Sequence, residues 1–104
     1  MNRIKITKLD VANDPLYPTM TMENYVQGMD NGDISIPINY WVIGTLINPI
    51  VEGEGIAMFR EIRNGEQVTG LFTTSVVKTI TGLSDDRQWI ETQNSKYLIE
   101  PVEE

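Results

Sequence analysis

Apolar and polar side chains alternate from Arg3 to Leu9, with Ile4, Ile6 and Leu9 as the inward set. That period of two predicts a first strand or an edge extension. The next stretch, DVANDPLYPT, breaks regular structure, because Asn13 and Asp14 precede Pro15 and Pro18 follows. In TMTMENYVQGM the spacing changes: Met22, Tyr25, Val26 and Met29 recur with helical period. Thr21 is placed to cap such a helix, and Gly28 or Asn31-Gly32 to stop it. A helix this short persists only against a packing surface, so a structured loop is the competing expectation.

From Tyr40 onward the pattern is that of a sheet. Tyr40–Asn48 is apolar and rich in strand-forming residues, and Ile56–Arg63 and Gln67–Thr73 flank Asn64-Gly65. That dipeptide suits the positive torsions of a two-residue hairpin turn, and Gly70 marks a bulge or a close backbone approach. Val76–Ile80, Gln88–Thr92 and Lys96–Val102 complete the set, with turns at Gly82–Asp86 and Gln93–Ser95. Five to seven short antiparallel strands in 104 residues favour a small barrel, closed or partly closed, since closure removes open edges. An SH3-like barrel is the first expectation and an OB-like barrel the second. The chain reads as one domain, residues 1–104, with a loop-rich arm or insertion at 10–39 and the principal β-rich core at 40–102.

Charge divides the chain. Residues 9–59 hold no Lys or Arg and seven acids: Asp10, Asp14, Glu23, Asp30, Asp33, Glu52 and Glu54. The rest balances eight basic against eight acidic residues, so this segment alone accounts for the net charge of −7. Such a balance disfavours non-specific binding to nucleic acid or anionic membranes and suits a basic protein surface. Solubility explains the same charge. The start, MNRIKITKLDV, reads as a strand rather than a signal peptide, and no apolar run is long enough to span a bilayer. A cytoplasmic location is therefore expected, in a host cytoplasm or associated with a virion.

Residues 40–100 carry a resemblance. The segments YWVIGTLINP, MFREIRNGEQVTGLFTTSVV and TQNSKYLIE resemble small β-domain accessory proteins of bacteriophages and related mobile elements. The resemblance implies an accessory protein more readily than a metabolic enzyme, and it carries over no catalytic residue.

The polar clusters offer little chemistry. FTTSVV, with Thr73, Thr74 and Ser75, has no histidine to act as base, and the chain has no cysteine to replace the nucleophile. On an ideal strand Lys78 faces away from Ser75. Without His or Cys a zinc site is disfavoured, and DNGD at 30–33 lacks the calcium-loop pattern and reads as a turn or helix stop. Glu52 and Glu54 flank Gly53, but carboxylates at that spacing alone specify no hydrolysis. VEGEG lacks the lysine of a phosphate-binding loop. No cofactor is expected. The hydroxyls read instead as a strand-and-turn network that satisfies backbone groups, with Ser75 and the Asn94-Ser95 turn as its members.

Binding is the remaining class. Arg60, Arg63, Lys78, Arg87 and Lys96, with Phe59, Phe72, Trp89 and Tyr97, are compatible with a single-strand nucleic-acid barrel. Acids interrupt that track, however, and Arg60 and Arg63 face oppositely on an ideal strand unless a bulge intervenes. The leading expectation is a non-enzymatic protein-interaction module that regulates or inhibits a host factor. Tyr40, Trp41, Trp89 and Tyr97 are its candidate recognition residues, and Asp30, Asp33, Glu52 and Glu54 its electrostatic ones. A self-assembling structural protein, as a homodimer or larger, is the second reading, and a nucleic-acid barrel the third.

Overall fold

The computed structural model describes residues 3–102. Six strands form a closed antiparallel barrel: β1 (Arg3–Leu9), β2 (Ile38–Leu46), β3 (Gly55–Arg63), β4 (Glu66–Gly82), β5 (Gln88–Thr92) and β6 (Lys96–Pro101). Each strand pairs with its neighbour in sequence, and β1 closes the ring against β6, with Ile6 opposite Ile99. This consecutive order has none of the non-consecutive neighbours of a Greek-key barrel, so the OB-like alternative does not describe it. The β core also reaches beyond the expected 40–102, because β1 supplies the closing strand.

Side-chain alternation generates two cores from one sheet. Inside the barrel lie Ile4, Ile6, Val42, Ile56, Met58, Phe72, Val77, Ile90, Tyr97 and Ile99. Outside it, Leu9, Val11, Tyr25, Ile36 and Trp89 form a second cluster beneath residues 10–37. Leu9 thus belongs to the outer cluster and not to the inward set of Ile4 and Ile6, and the register of β1 against β2 shifts between Lys8 and Leu9.

The arm is held by one helix, α1 (Met22–Asn31). The Asn24 N–H donates to the Thr21 hydroxyl at 3.2 Å, and Gly32 ends the helix in the left-handed region at φ 81°. Met22, Tyr25, Val26 and Met29, the expected stripe, face the outer cluster. Tyr25 is fully buried and packs edge-on against Trp89, with centroids 6.3 Å apart, and against Tyr17 at 5.7 Å. Its hydroxyl donates to Asp14 Oδ2 at 2.7 Å. The Leu16 N–H donates to the other oxygen of the same buried carboxylate at 3.0 Å. Asp14 therefore ties the arm to the helix, and the helix covers the outer wall of β5, β6 and β1.

Bulges set the remaining register. Asn64 and Gly65 have φ of 51° and 86°, as the hairpin turn requires. Arg63 then faces Glu66 and Ile62 faces Gln67, but Arg60 faces Gly70, so one extra residue sits on β4 before Gly70. A second extra residue falls at Thr74–Ser75, between the pairs Ala57 with Thr73 and Gly55 with Val76. The expected separate segments Gln67–Thr73 and Val76–Ile80 are consequently one 17-residue strand. Its polar middle is a bulge rather than a break.

The hydroxyl network is architectural, although different members carry it. The Ile56 N–H donates to Thr74 Oγ1 at 3.0 Å, and the Thr74 hydroxyl donates to the Ser75 carbonyl at 2.8 Å. Thr92, not Ser75, serves the next turn, its hydroxyl oxygen accepting from the Ser95 N–H at 3.1 Å.

At Gly44 the barrel admits no side chain: a Cβ there would collide with the Phe59 carbonyl oxygen, while Gly82 has open space. Gly44→Ala is expected to destabilise the domain by about 1–3 kcal/mol or more, as overpacking does, and Gly82→Ala far less. Urea denaturation of both variants checks this, and equal losses would contradict it.

Candidate functional site

One wall of the barrel is covered by the arm, and the wall opposite is bare. On β2, β3 and β4 the outward rows follow from register: Thr45, Phe59 and Leu71 lie side by side in one row. The Ile47 N–H donates to the Ala57 carbonyl at 2.9 Å, and Ala57 faces Thr73, which gives the next row. Ile43 opposite Ile62 gives a third. Ile47, Phe59 and Leu71 are 54%, 50% and 66% exposed. Isolated apolar side chains on a surface are ordinary, whereas a contiguous group on one sheet face marks an interaction surface.

This wall is also electrically quiet. Residues 34–51 and 67–77 carry no charged side chain, so β2 and β4 from Gln67 to Val77 are neutral. Charge enters through β3. Glu61 is engaged by Arg3 at 3.5 Å and by the Thr45 hydroxyl at 3.3 Å. Arg60, paired with Gly44 and therefore on the inward side, is folded onto its own hairpin, with Nε donating to the Val68 carbonyl at 2.8 Å.

The residues expected to recognise a partner are scattered. Trp89 is fully buried under the arm, its Nε1 donating to Glu91 at 3.2 Å. Tyr97 is buried in the barrel. Tyr40 stands half-buried at the rim of that core, packed edge-on against Phe72, with Lys8 and Arg63 5.8 and 5.0 Å from its ring. Trp41 is half-buried, with the Lys5 ammonium 4.8 Å from its ring. Asp33, Glu52 and Glu54 are exposed. Asp30 has structural partners: Arg87 Nη2 at 2.6 Å, the Ser84 hydroxyl at 2.8 Å and the Ser84 N–H. It locks the end of α1 to the turn after β4.

The residues that form the bare wall were not among those candidates, although Phe59 had been considered as a stacking surface. The hairpin count alone does not find them. Counting back from Asn64-Gly65 without a bulge sets Phe59 opposite Gly70, and the extra residue on β4 sets it opposite Leu71 instead. A bulge also intervenes between Arg60 and Arg63. Their partners Gly44 and Val42 lie on the inward set with Ile4 and Ile6, so both arginines point to one side.

Among the described residues no three acidic side chains converge as metal ligands, and no helix is long and apolar enough to cross a membrane. A groove of about 350 Å³ runs between α1 and the β4–β5 corner over Met22, Val26, Leu83 and Trp89, with Glu23 and Glu91 beside it.

Two expectations follow. Asp30→Ala removes a charge-assisted, mostly buried contact and should lower stability by about 1.5–3 kcal/mol. Protease cleavage within α1 should accelerate in parallel, and an unchanged melting curve would contradict the assignment. Burial pushes the Tyr25 hydroxyl well above its ordinary range, and its hydrogen bond to Asp14 adds to the shift. Burial and Tyr97 push Tyr40 up to about 12, against a weaker opposing pull from Arg63. The unfolded chain therefore loses these protons near pH 10 while the folded chain keeps them. Their contribution is complete below about pH 10 and falls as pH rises toward 12. The stability difference between the parent protein and Tyr40→Phe should shrink across that window, and a constant difference would be inconsistent with it.

No protein-family model, curated protein or solved structure matches the chain.

Proposed function

We propose that this chain is a non-enzymatic protein-interaction module that docks through the outer wall of β2, β3 and β4. The observation that carries the reading is the exposed cross-strand pair of Phe59 and Leu71, continued by Ile47. Burying an exposed side chain of this kind contributes about 1.5–3 kcal/mol, so three of them form an adequate centre for an interface. The neutral strands around them need little desolvation on binding. Trp41 flanks the wall as a partly covered aromatic, Tyr40 stands behind it at the rim of the inner core, and Asp33, Glu52 and Glu54 supply acids for steering a partner with basic surroundings.

The resemblance of residues 40–100 to bacteriophage and mobile-element β-domains supports an accessory role. Regulation or inhibition of a host factor is one use of such a face, and assembly into a larger phage structure is another. The nucleic-acid reading loses ground on geometry. Phe72, Trp89 and Tyr97 are buried, and Tyr40 and Trp41 are already paired with cations. Phe59 remains open for stacking, but in a neutral setting that gives a phosphate backbone no purchase.

Affinity capture from a host extract, with the parent protein and the double variant Phe59→Ser and Leu71→Ser, tests the wall. Both side chains face solvent, so the double variant should keep its melting temperature and lose the captured partner. Equal capture by both proteins would remove the wall from the interface. Tight single-strand binding with a steep inverse salt dependence would favour the nucleic-acid barrel instead.

A further inference from the structure

The bare wall ends at an unpaired strand edge. β4 pairs with β3 from Glu66 to Val76, but its pairing with β5 begins only at Val77. Along Gln67–Thr73 the side away from β3 has no backbone hydrogen bond to a neighbouring strand among the described residues. Arg60, whose guanidinium reaches the Val68 carbonyl, partly blocks the bulged end. Gly70–Thr73 is left as a regular open edge, and Leu71 on it is the most exposed of the large apolar side chains. Unpaired strand edges are templates for another strand, and natural proteins usually blunt them with charge or proline. From Gln67 to Val77 this chain has neither.

We propose that this edge pairs antiparallel with the same edge of a second copy about a twofold axis, joining two β2–β3–β4 walls into one continuous sheet. The proposal rests on the wall being a protein-binding face and names its occupant. Two observations favour a second copy, and charge says where it can dock. An antiparallel edge is self-complementary under a twofold rotation, so one strand satisfies both sides of the contact. With Leu71 at the axis, the row Thr45, Phe59, Leu71 runs directly into its own counterpart, and apolar side chains meet apolar side chains across the junction. Charge restricts the place of contact rather than driving it. Two chains of net charge −7 repel each other over most of their surfaces, and the uncharged strands are where they can meet without opposing carboxylates. The barrel itself is undisturbed, because the edge lies outside the β4–β5 pairs that close it.

Sedimentation equilibrium of the full chain over a wide concentration range tests the proposal. The expected result is a reversible dimer that Leu71→Glu weakens by about tenfold or more, which the lost burial of Leu71 alone would supply. The circular dichroism and melting curve of that variant, measured at a concentration where the parent is monomeric, should match the parent. The chain has no cysteine, so Leu71→Cys introduces a single thiol. It should form a disulfide-linked dimer much faster than Thr79→Cys, which lies on the half of β4 already paired with β5. A monomer at every concentration, or a dimer indifferent to Leu71→Glu, overturns the proposal. If a monomeric protein captures a different protein and the Phe59→Ser, Leu71→Ser variant loses it, self-pairing falls and the docking wall stands. If neither assembly nor capture depends on the two residues, both readings fall.

Discussion

The fold depends on one strand changing which residues face inward. Phe72 and Val77 are five positions apart, so on an ideal strand they would point to opposite sides of the sheet. Both belong to the barrel core, because the extra residue at Thr74–Ser75 resets the alternation between them. The Thr74 hydroxyl makes that reset tolerable, accepting from the Ile56 amide and donating to the Ser75 carbonyl where the ladder is interrupted. Without the bulge, β4 would bury one half and expose the other. With it, the strand serves β3 first and β5 afterwards, and the ring can close. The same handover leaves the first half of β4 with a neighbour on one side only.

Two opposite treatments of the barrel exterior follow. On the β5–β6–β1 side the sheet carries Trp89 and Leu98 outward, and the chain covers them with its own helix and the arm around it. Asp14 and Asp30 secure that cover at two points, one inside the arm and one at the end of α1. On the β2–β3–β4 side nothing among the described residues returns to cover Ile47, Phe59 and Leu71. The acids read from the sequence as a possible contact surface are thus divided between tasks. Asp14 and Asp30 are structural, whereas Asp33, Glu52 and Glu54 face solvent.

Features governed by local backbone chemistry were legible in the sequence. Asn64-Gly65 predicts its turn because few residue pairs tolerate two positive torsions in succession. Thr21 and Gly32 bound α1 for equally local reasons. Features set by register were not legible. Phe59 and Leu71 become neighbours only through the bulge before Gly70, and the strand pattern does not fix where an extra residue will lodge. Trp89 illustrates a further gap. In a sheet covered on one wall, an outward aromatic residue is buried or exposed according to what packs over it, and Trp89 lies beneath a helix distant in sequence. Alternation itself places Leu9 with Lys5 and Thr7 on the outer face of β1, and the arm packing over that end is what accommodates an apolar residue there.

The two tryptophans finish in contrasting surroundings, and that contrast equips the molecule with separate internal reporters. Trp89 is sealed between the sheet and Tyr25, so its emission follows whether the helix stays seated. Trp41 lies half-open beneath Lys5, and its backbone is bonded to Asn64 in the hairpin turn. Its emission follows the other side of the barrel. A spectrum resolved into a blue, shielded component and a redder, quencher-accessible one would therefore separate loosening of the cover from events at the bare wall, with no label attached.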